Sequence, residues 1–256
     1  MKKSLAISCV LLFCIAGSVF ALKFGNGKVV QSQRDVKGFQ SIDASGAAFV
    51  RISRAKNYSC TVELDSNLQN DFITKVEKGV LKMYFRPGSG VMKIKKLEIN
   101  LTMPVLSGIK ASGASRVDLE DAFEGKELLI DLSGASNLKA RLDYQIAGIK
   151  ASGASKLEIE GAFGDVAMEI SGASKLNLKG RAMGLSGEVS GASNIDADDL
   201  DTDDIDLRVS GASNVDLGDV AKTIKTDLSG ASHLVYSGSP QILKGDTTGS
   251  SSLKRR

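Results

Sequence analysis

The chain has 256 residues, with 33 Lys and Arg against 30 Asp and Glu, one His, three Cys and no Trp. This near-balance of charge excludes an electrostatic nucleic-acid binder. So few His and Cys exclude a zinc site in practice.

Residues 1–21 read as an export signal. Lys2 and Lys3 precede a mostly apolar run over residues 5–15, and small residues follow over 17–21. Val19 and Ala21 occupy the third-last and last places before the expected cleavage at Leu22. The apolar run is too short for a stable membrane span. Phe13 before Cys14 does not fit a lipoprotein cleavage box. Cleavage removes Lys2 and Lys3 and lowers the formal charge from +3 to +1. It also removes Cys9 and Cys14, so Cys60 is left with no disulfide partner. Cys60 reads as a small buried strand residue. A reactive thiol would need a basic or His neighbour, and none is near in sequence.

Residues 22–105 read as an N-terminal cap with one or two diverged coils and a projecting hairpin. Strands are expected over 29–36, 41–52, 58–64, 80–85 and 97–103, with one helical turn over 66–72 capped by Asp65 or Ser66. Arg86-Pro87-Gly88-Ser89-Gly90 marks a loop. A solenoid needs such a cap, because a bare coil end is an open strand edge.

Residues 106–252 are a periodic array. Ser-Gly-Ala-Ser recurs with its glycines at Gly113, Gly134, Gly153, Gly172, Gly191, Gly211 and Gly230. The intervals are 21, 19, 19, 19, 20 and 19 residues. Ser45-Gly46-Ala47-Ala48 precedes the array and Thr248-Gly249-Ser250-Ser251 follows it as degraded copies. A period this short means stacked equivalent coils rather than one globular core.

Aligned on the glycine, the coils form columns. Four places before it stand Ile42, Ile109, Ile130, Ile149, Met168, Gly187, Leu207 and Thr226. Four places after it stand Val50, Val117, Leu138, Leu157, Leu176, Ile195, Val215, Leu234 and Leu253. Further apolar columns lie two before and six after, which is the strand period with one face buried. The column three before glycine runs Asp43, Lys110, Asp131, Lys150, Glu169, Glu188, Arg208, Asp227. Opposite charges on neighbouring strands help by a few tenths of a kcal/mol. The column three after it (Arg116, Asn137, Lys156, Lys175, Asn194, Asn214, His233) is equally polar. Both columns read as solvated sheet faces.

The glycine suits a positive-φ corner, the alanine can tuck into it, and the serines can bond turn backbone. The fold expected is all-β: a right-handed parallel β-helix of about 19–21 residues per coil, with two clear strands and a variable third side. Seven to eight coils at roughly 4.8 Å give a rod on the order of 35–40 Å long. Extra residues over 121–128 and 197–204 should form loops on that third side. The basic tail 253–256 should fray.

Together, Gly25-Asn26-Gly27-Lys28-Val29, Phe39-Gln40-Ser41-Ile42-Asp43-Ala44-Ser45-Gly46-Ala47, Val50-Arg51-Ile52 and the Ser-Gly-Ala-Ser array carry a resemblance. In order and spacing the chain, over about residues 25–250, resembles the auto-transporter adhesin, head GIN domain family of bacterial exported proteins. The resemblance implies a right-handed β-helix and an adhesin-like role. It supplies no catalytic residues to transfer, and this chain shows no membrane barrel after the array.

The residues name no catalytic, cofactor-binding or metal site. His233 beside Ser232 lacks an orienting acid. The stretch Asp196, Asp198, Asp199, Asp201, Asp203, Asp204, Asp206 could attract calcium, but it lacks the loop motifs and reads more simply as an exposed turn. Glycan-cleaving β-helices need paired acids in a cleft with aromatic platforms. Here the best acidic pair is Glu120 with Asp121, and aromatics are few. The expectation is an exported, non-enzymatic module of the periplasm or cell surface, contacting an envelope, glycan or protein surface. A carbohydrate-active enzyme and a stacking structural rod are the alternatives.

Overall fold

The computed structural model describes residues 22–256. The expected export signal lies outside the described residues. The molecule is a parallel β-solenoid of about eight turns. Its register reproduces the sequence columns. Ile109 pairs with Ile42 and Ile130, and Ile149 with Ile130 and Met168. On the next side Leu138, Leu157 and Leu176 lie in consecutive register. All three are buried, as is the whole column from Val50 to Leu234. Full burial of one such side chain stabilises by about 1.5–3 kcal/mol relative to exposure.

The corners work as a repeated backbone device. From Gly113 to Gly230 the corner glycines have φ between 71° and 78°. From Ala135 onward each corner alanine N–H reaches the glycine carbonyl one coil below, as in Ala154 to Gly134 and Ala173 to Gly153, both 2.7 Å. The serines bond turn backbone as expected, but the alanine does not tuck into the corner. Ala114, Ala135 and Ala154 are exposed, while Ser115, Ser136 and Ser155 are buried. The buried hydroxyl donates to the carbonyl three residues back, at 2.8 Å for Ser115, Ser136 and Ser155. A polar group can therefore face inward without losing its partner.

The third side is strand rather than loop. Asn137–Ala151, Lys156–Ile170 and Lys175–Val189 each run continuously across it, in register with their neighbours. Phe123–Leu132 and Leu200–Val209 fill most of the segments expected as loops. The extra residues sit in short breaks between strands, at 120–122 and in the turn at Asp198 and Asp199, so that part of the loop expectation holds.

At the N-terminal end, spatial order departs from chain order. Val80–Phe85 pairs in parallel beneath Ser41–Ala44, and Leu97–Met103 beneath Phe49–Arg54. The 108–119 coil stacks on the opposite edges of those same two strands. The 41–54 coil is thus sandwiched between two later segments. Antiparallel strands then close the end: Ser59–Asp65 on Leu97–Met103, Val29–Gln33 on Ser59–Asp65, and Phe72–Glu77 on Val80–Phe85. The hairpin expected to project is therefore part of the wall. Only Ser66–Leu68 forms a 3-10 turn, and Asp65 makes no side-chain cap to it. Its buried carboxylate instead accepts the Gly27 N–H at 2.6 Å and the Lys95 N–H at 2.7 Å.

At the other end the tail does not fray. Ser252–Arg255 pairs with His233–Gly238, and Leu253 lies over Leu234.

Candidate binding face

The strand leaving each corner turns its third, fifth and seventh residues outward. Parallel register stacks them into three ladders. Arg116, Asn137, Lys156 and Lys175 form the first, and Asp118, Lys139, Glu158 and Asn177 the second. Arg141, Glu160 and Lys179 continue the third above Glu120. These ladders line an open groove of about 720 Å³, floored by Leu119, Ala140 and Ile159.

Charge alternates from rung to rung. The 137–141 rung carries Lys139 and Arg141, and the next carries Glu158 and Glu160 below Lys175 and Lys179. Some of these groups pair along their own strand. Arg116 donates to Asp118 through Nε at 3.0 Å and Nη2 at 2.7 Å. That bond holds the Arg116 proton more tightly than usual. Lys156 sits 2.6 Å from Glu158 and holds its carboxyl below the ordinary range. Lys179 reaches Asp199 on the next coil at 2.5 Å, which raises the lysine pKa. At the lower edge the Arg51 and Arg116 guanidinium groups lie 4.3 and 5.1 Å from the centre of the Phe49 ring. Exposed pairs of this kind contribute about 0–1 kcal/mol each, so they order the face rather than hold the fold.

Lys139 and Lys175 make no ion pair with any described residue. Six cationic and four acidic side chains line the groove, so its balance is positive. The sequence columns contain these ladders, but lateral concavity depends on how the third side folds back and is not visible in a column.

The other candidates separate. Glu120 lines the groove and lies 3.7 Å from Arg51, but Asp121 accepts the Arg54 backbone N–H at 2.9 Å. Ser232 is buried and donates to the Ser229 carbonyl at 2.9 Å, whereas His233 faces out and meets the Ser252 hydroxyl at 2.8 Å. Ser232 precedes the strand His233–Gly238 and points inward, away from the His233 ring. Cys60 is buried, and desolvation pushes its thiol up to about 12 despite the nearby Arg34 charge. The aspartate stretch is dispersed. Asp203 and Asp206 pair with Lys222 and Lys225, Asp199 with Lys179, and Asp204 accepts from Thr223. Asp198 is hydrogen-bonded to Asp196, which raises its pKa. Among the described residues no group of three or more His, Cys, Asp or Glu is placed to hold a metal ion. None of their helices is long and apolar enough to cross a membrane.

Solved structures share this architecture. A protein described as a "putative adhesin" from Parabacteroides merdae ATCC 43184 superposes with a TM-score of 0.86 at 17% identity, over 91% of this chain and 98% of that one. A protein named for lipid binding from Parabacteroides distasonis ATCC 8503 gives 0.83 at 17% identity, over 92% and 100%. Another "putative adhesin", from Bacteroides fragilis NCTC 9343, gives 0.71 at 20% identity, over 91% and 100%. At such identities the likeness shows the fold alone. No curated protein matches the chain. The family described as "Putative auto-transporter adhesin, head GIN domain" matches residues 38–182 and 162–240. With that match spanning most of the solenoid, from the 41–54 coil through the last intact corner, the chain belongs to this family.

Proposed function

We propose that the protein is an exported, non-enzymatic, adhesin-like module that docks on an anionic glycan of the cell envelope or a neighbouring surface through the groove of the 116–179 face. One observation carries this reading: on a rigid sheet Lys175 forms no salt bridge with any described residue, and Lys139, across from Glu158, none within 4 Å, in a groove of net positive balance. Stacked strands fix the spacing of the backbone positions, so little backbone ordering opposes binding. Phe49 is already covered by two guanidinium groups, so sugar-ring stacking has little to offer and charge must supply the recognition. The adhesin description of the family supports the same direction.

The test is binding to acidic and neutral polysaccharides of matched length, at low and high salt. Preference for the acidic polymers, weakened by salt and by Lys139→Glu with Lys175→Glu, supports the reading. Equal binding of neutral polymers, binding only to protein ligands, or no effect of the two substitutions overturns it. Depolymerisation of the bound polymer would instead establish an enzyme.

A further inference from the structure

The two ends of the solenoid are built differently. The N-terminal end is covered by antiparallel strands, of which Val29–Gln33 and Phe72–Glu77 are paired on one edge only. At the C-terminal end Gln241–Thr247 is hydrogen-bonded on one edge only, to Asn214–Leu228, and Ser252–Arg255 only to His233–Gly238. Among the described residues nothing pairs with the outer edges of these two strands. The whole Gln241–Thr247 strand is exposed, with Ile242 at 42% and Leu243 at 58%. An open edge next to apolar side chains is a template for another strand.

The charges of this strand indicate which strand that is. In the final rung Lys244 lies over Lys225 and Asp246 over Asp227. The ladder there repeats sign instead of alternating it. Relief within the chain is only diagonal or local, from Lys244 to Asp227 at 3.5 Å and to Asp246 at 3.1 Å. An antiparallel copy of the same strand centred on Gly245 places Lys244 directly opposite the copy's Asp246, and Asp246 opposite the copy's Lys244. Like-charge stacking below is then answered by opposite-charge pairing above. Glycine at the centre leaves the two backbones free to meet at the axis. Head-to-tail pairing on the free edge of Phe72–Glu77 is the competing arrangement, but there Glu77 is already paired with both Lys75 and Lys82.

We propose that the C-terminal end of the solenoid is a self-association surface, on which a second copy of this chain pairs edge to edge through Leu243–Thr247, the part of the strand beyond its bulge, about a two-fold axis at Gly245. Such a contact is isologous and closes after two copies. It gives one rod with two grooves, and two linked sites raise the effective affinity for a polymer or a surface. The inference does not depend on what the groove binds.

Charge exchange tests it. The purified protein is followed by sedimentation velocity over a wide concentration series, beside Lys244→Asp, Asp246→Lys and the double variant. The wild type should reach a dimer. Each single reversal opposes like charges across the axis twice, and should raise the dissociation constant about tenfold or more. The double variant restores opposite pairs across the axis and also places Asp over Lys225 and Lys over Asp227, so it should dimerise like the wild type. Circular dichroism identical in all four proteins keeps misfolding out of the comparison, and a single variant that misfolds is replaced by Lys244→Glu or Asp246→Arg. A wild type monomeric throughout, single reversals that dimerise unchanged, or a well-folded double variant that stays monomeric would overturn the proposal.

Discussion

Replacing Gly153 by alanine probes the corner device most sharply. The backbone there has φ 73°, and an added Cβ would lie 2.5 Å from the Gly134 carbonyl oxygen and 3.1 Å from the Gly134 nitrogen. The same oxygen accepts the Ala154 N–H at 2.7 Å. Left-handed backbone costs a residue with a Cβ about 1–2 kcal/mol. Relieving the contact means separating two coils by several tenths of an ångström, which weakens that hydrogen bond by about 0.5–1.5 kcal/mol. The expected loss is about 2–3 kcal/mol, read as a lower denaturant midpoint by circular dichroism. Gly38→Ala is the control. Its φ is also 73°, but nothing lies within 4 Å of the added Cβ, so only the backbone cost of about 1–2 kcal/mol applies. A Gly153→Ala protein no less stable than Gly38→Ala would refute the claim that coils touch backbone to backbone at the corner.

Ser155→Ala should destabilise by about 0.5–1.5 kcal/mol in the same assay, because the Ser152 carbonyl loses its hydroxyl donor. Ser174 is equally buried but its hydroxyl has no partner, so Ser174→Ala should be neutral or stabilising. Asp65→Ala should cost about 2–4 kcal/mol by stranding the Gly27 and Lys95 N–H groups. Burial opposes the Asp65 charge, but the backbone donors prevail and hold its pKa below the usual value. Its contribution is therefore present above the unfolded pKa of about 3.9 and is lost as pH falls through the lower folded value, so Asp65→Asn should flatten the acid limb of a stability profile below about pH 4. In the chain beginning at Leu22, Cys60 should resist a thiol reagent at mildly alkaline pH and react fully once denatured, and rapid labelling of the folded protein would contradict its burial.

The solenoid was legible because its signal is translational. A residue such as Leu157 faces Leu138 and Leu176 through nothing more than a constant 19-residue offset. The N-terminal order was not legible for the complementary reason. Leu81 lies beneath Ile42 and Ile99 beneath Val50 without any shared motif or spacing, so the pairing is decided by which apolar faces remain to be covered. The third side hid behind its irregular burial pattern, since Gln145 and Ile146 both face out where the strand bends. The corner was half legible: glycine announced itself through backbone geometry, but the choice between alanine and serine for the buried position depends on the hydroxyl folding back to Ser112 or Ser152. The groove followed the same division. Its charged ladders can be written down from sequence, while the hollow they line needs the path of the whole coil.

The layered stack is tested most directly by oxidising engineered cysteine pairs. Lys156 and Lys175 are cross-strand partners on adjacent coils, whereas Lys156 and Asn194 are two coils apart. Adjacent strands lie about 4.8 Å apart, within disulfide reach, and two rungs at about 9.6 Å lie beyond it. Lys156→Cys with Lys175→Cys should form an internal disulfide rapidly under mild oxidation, and Lys156→Cys with Asn194→Cys should not. Efficient bridging of the second pair, or none in the first, would contradict the stack.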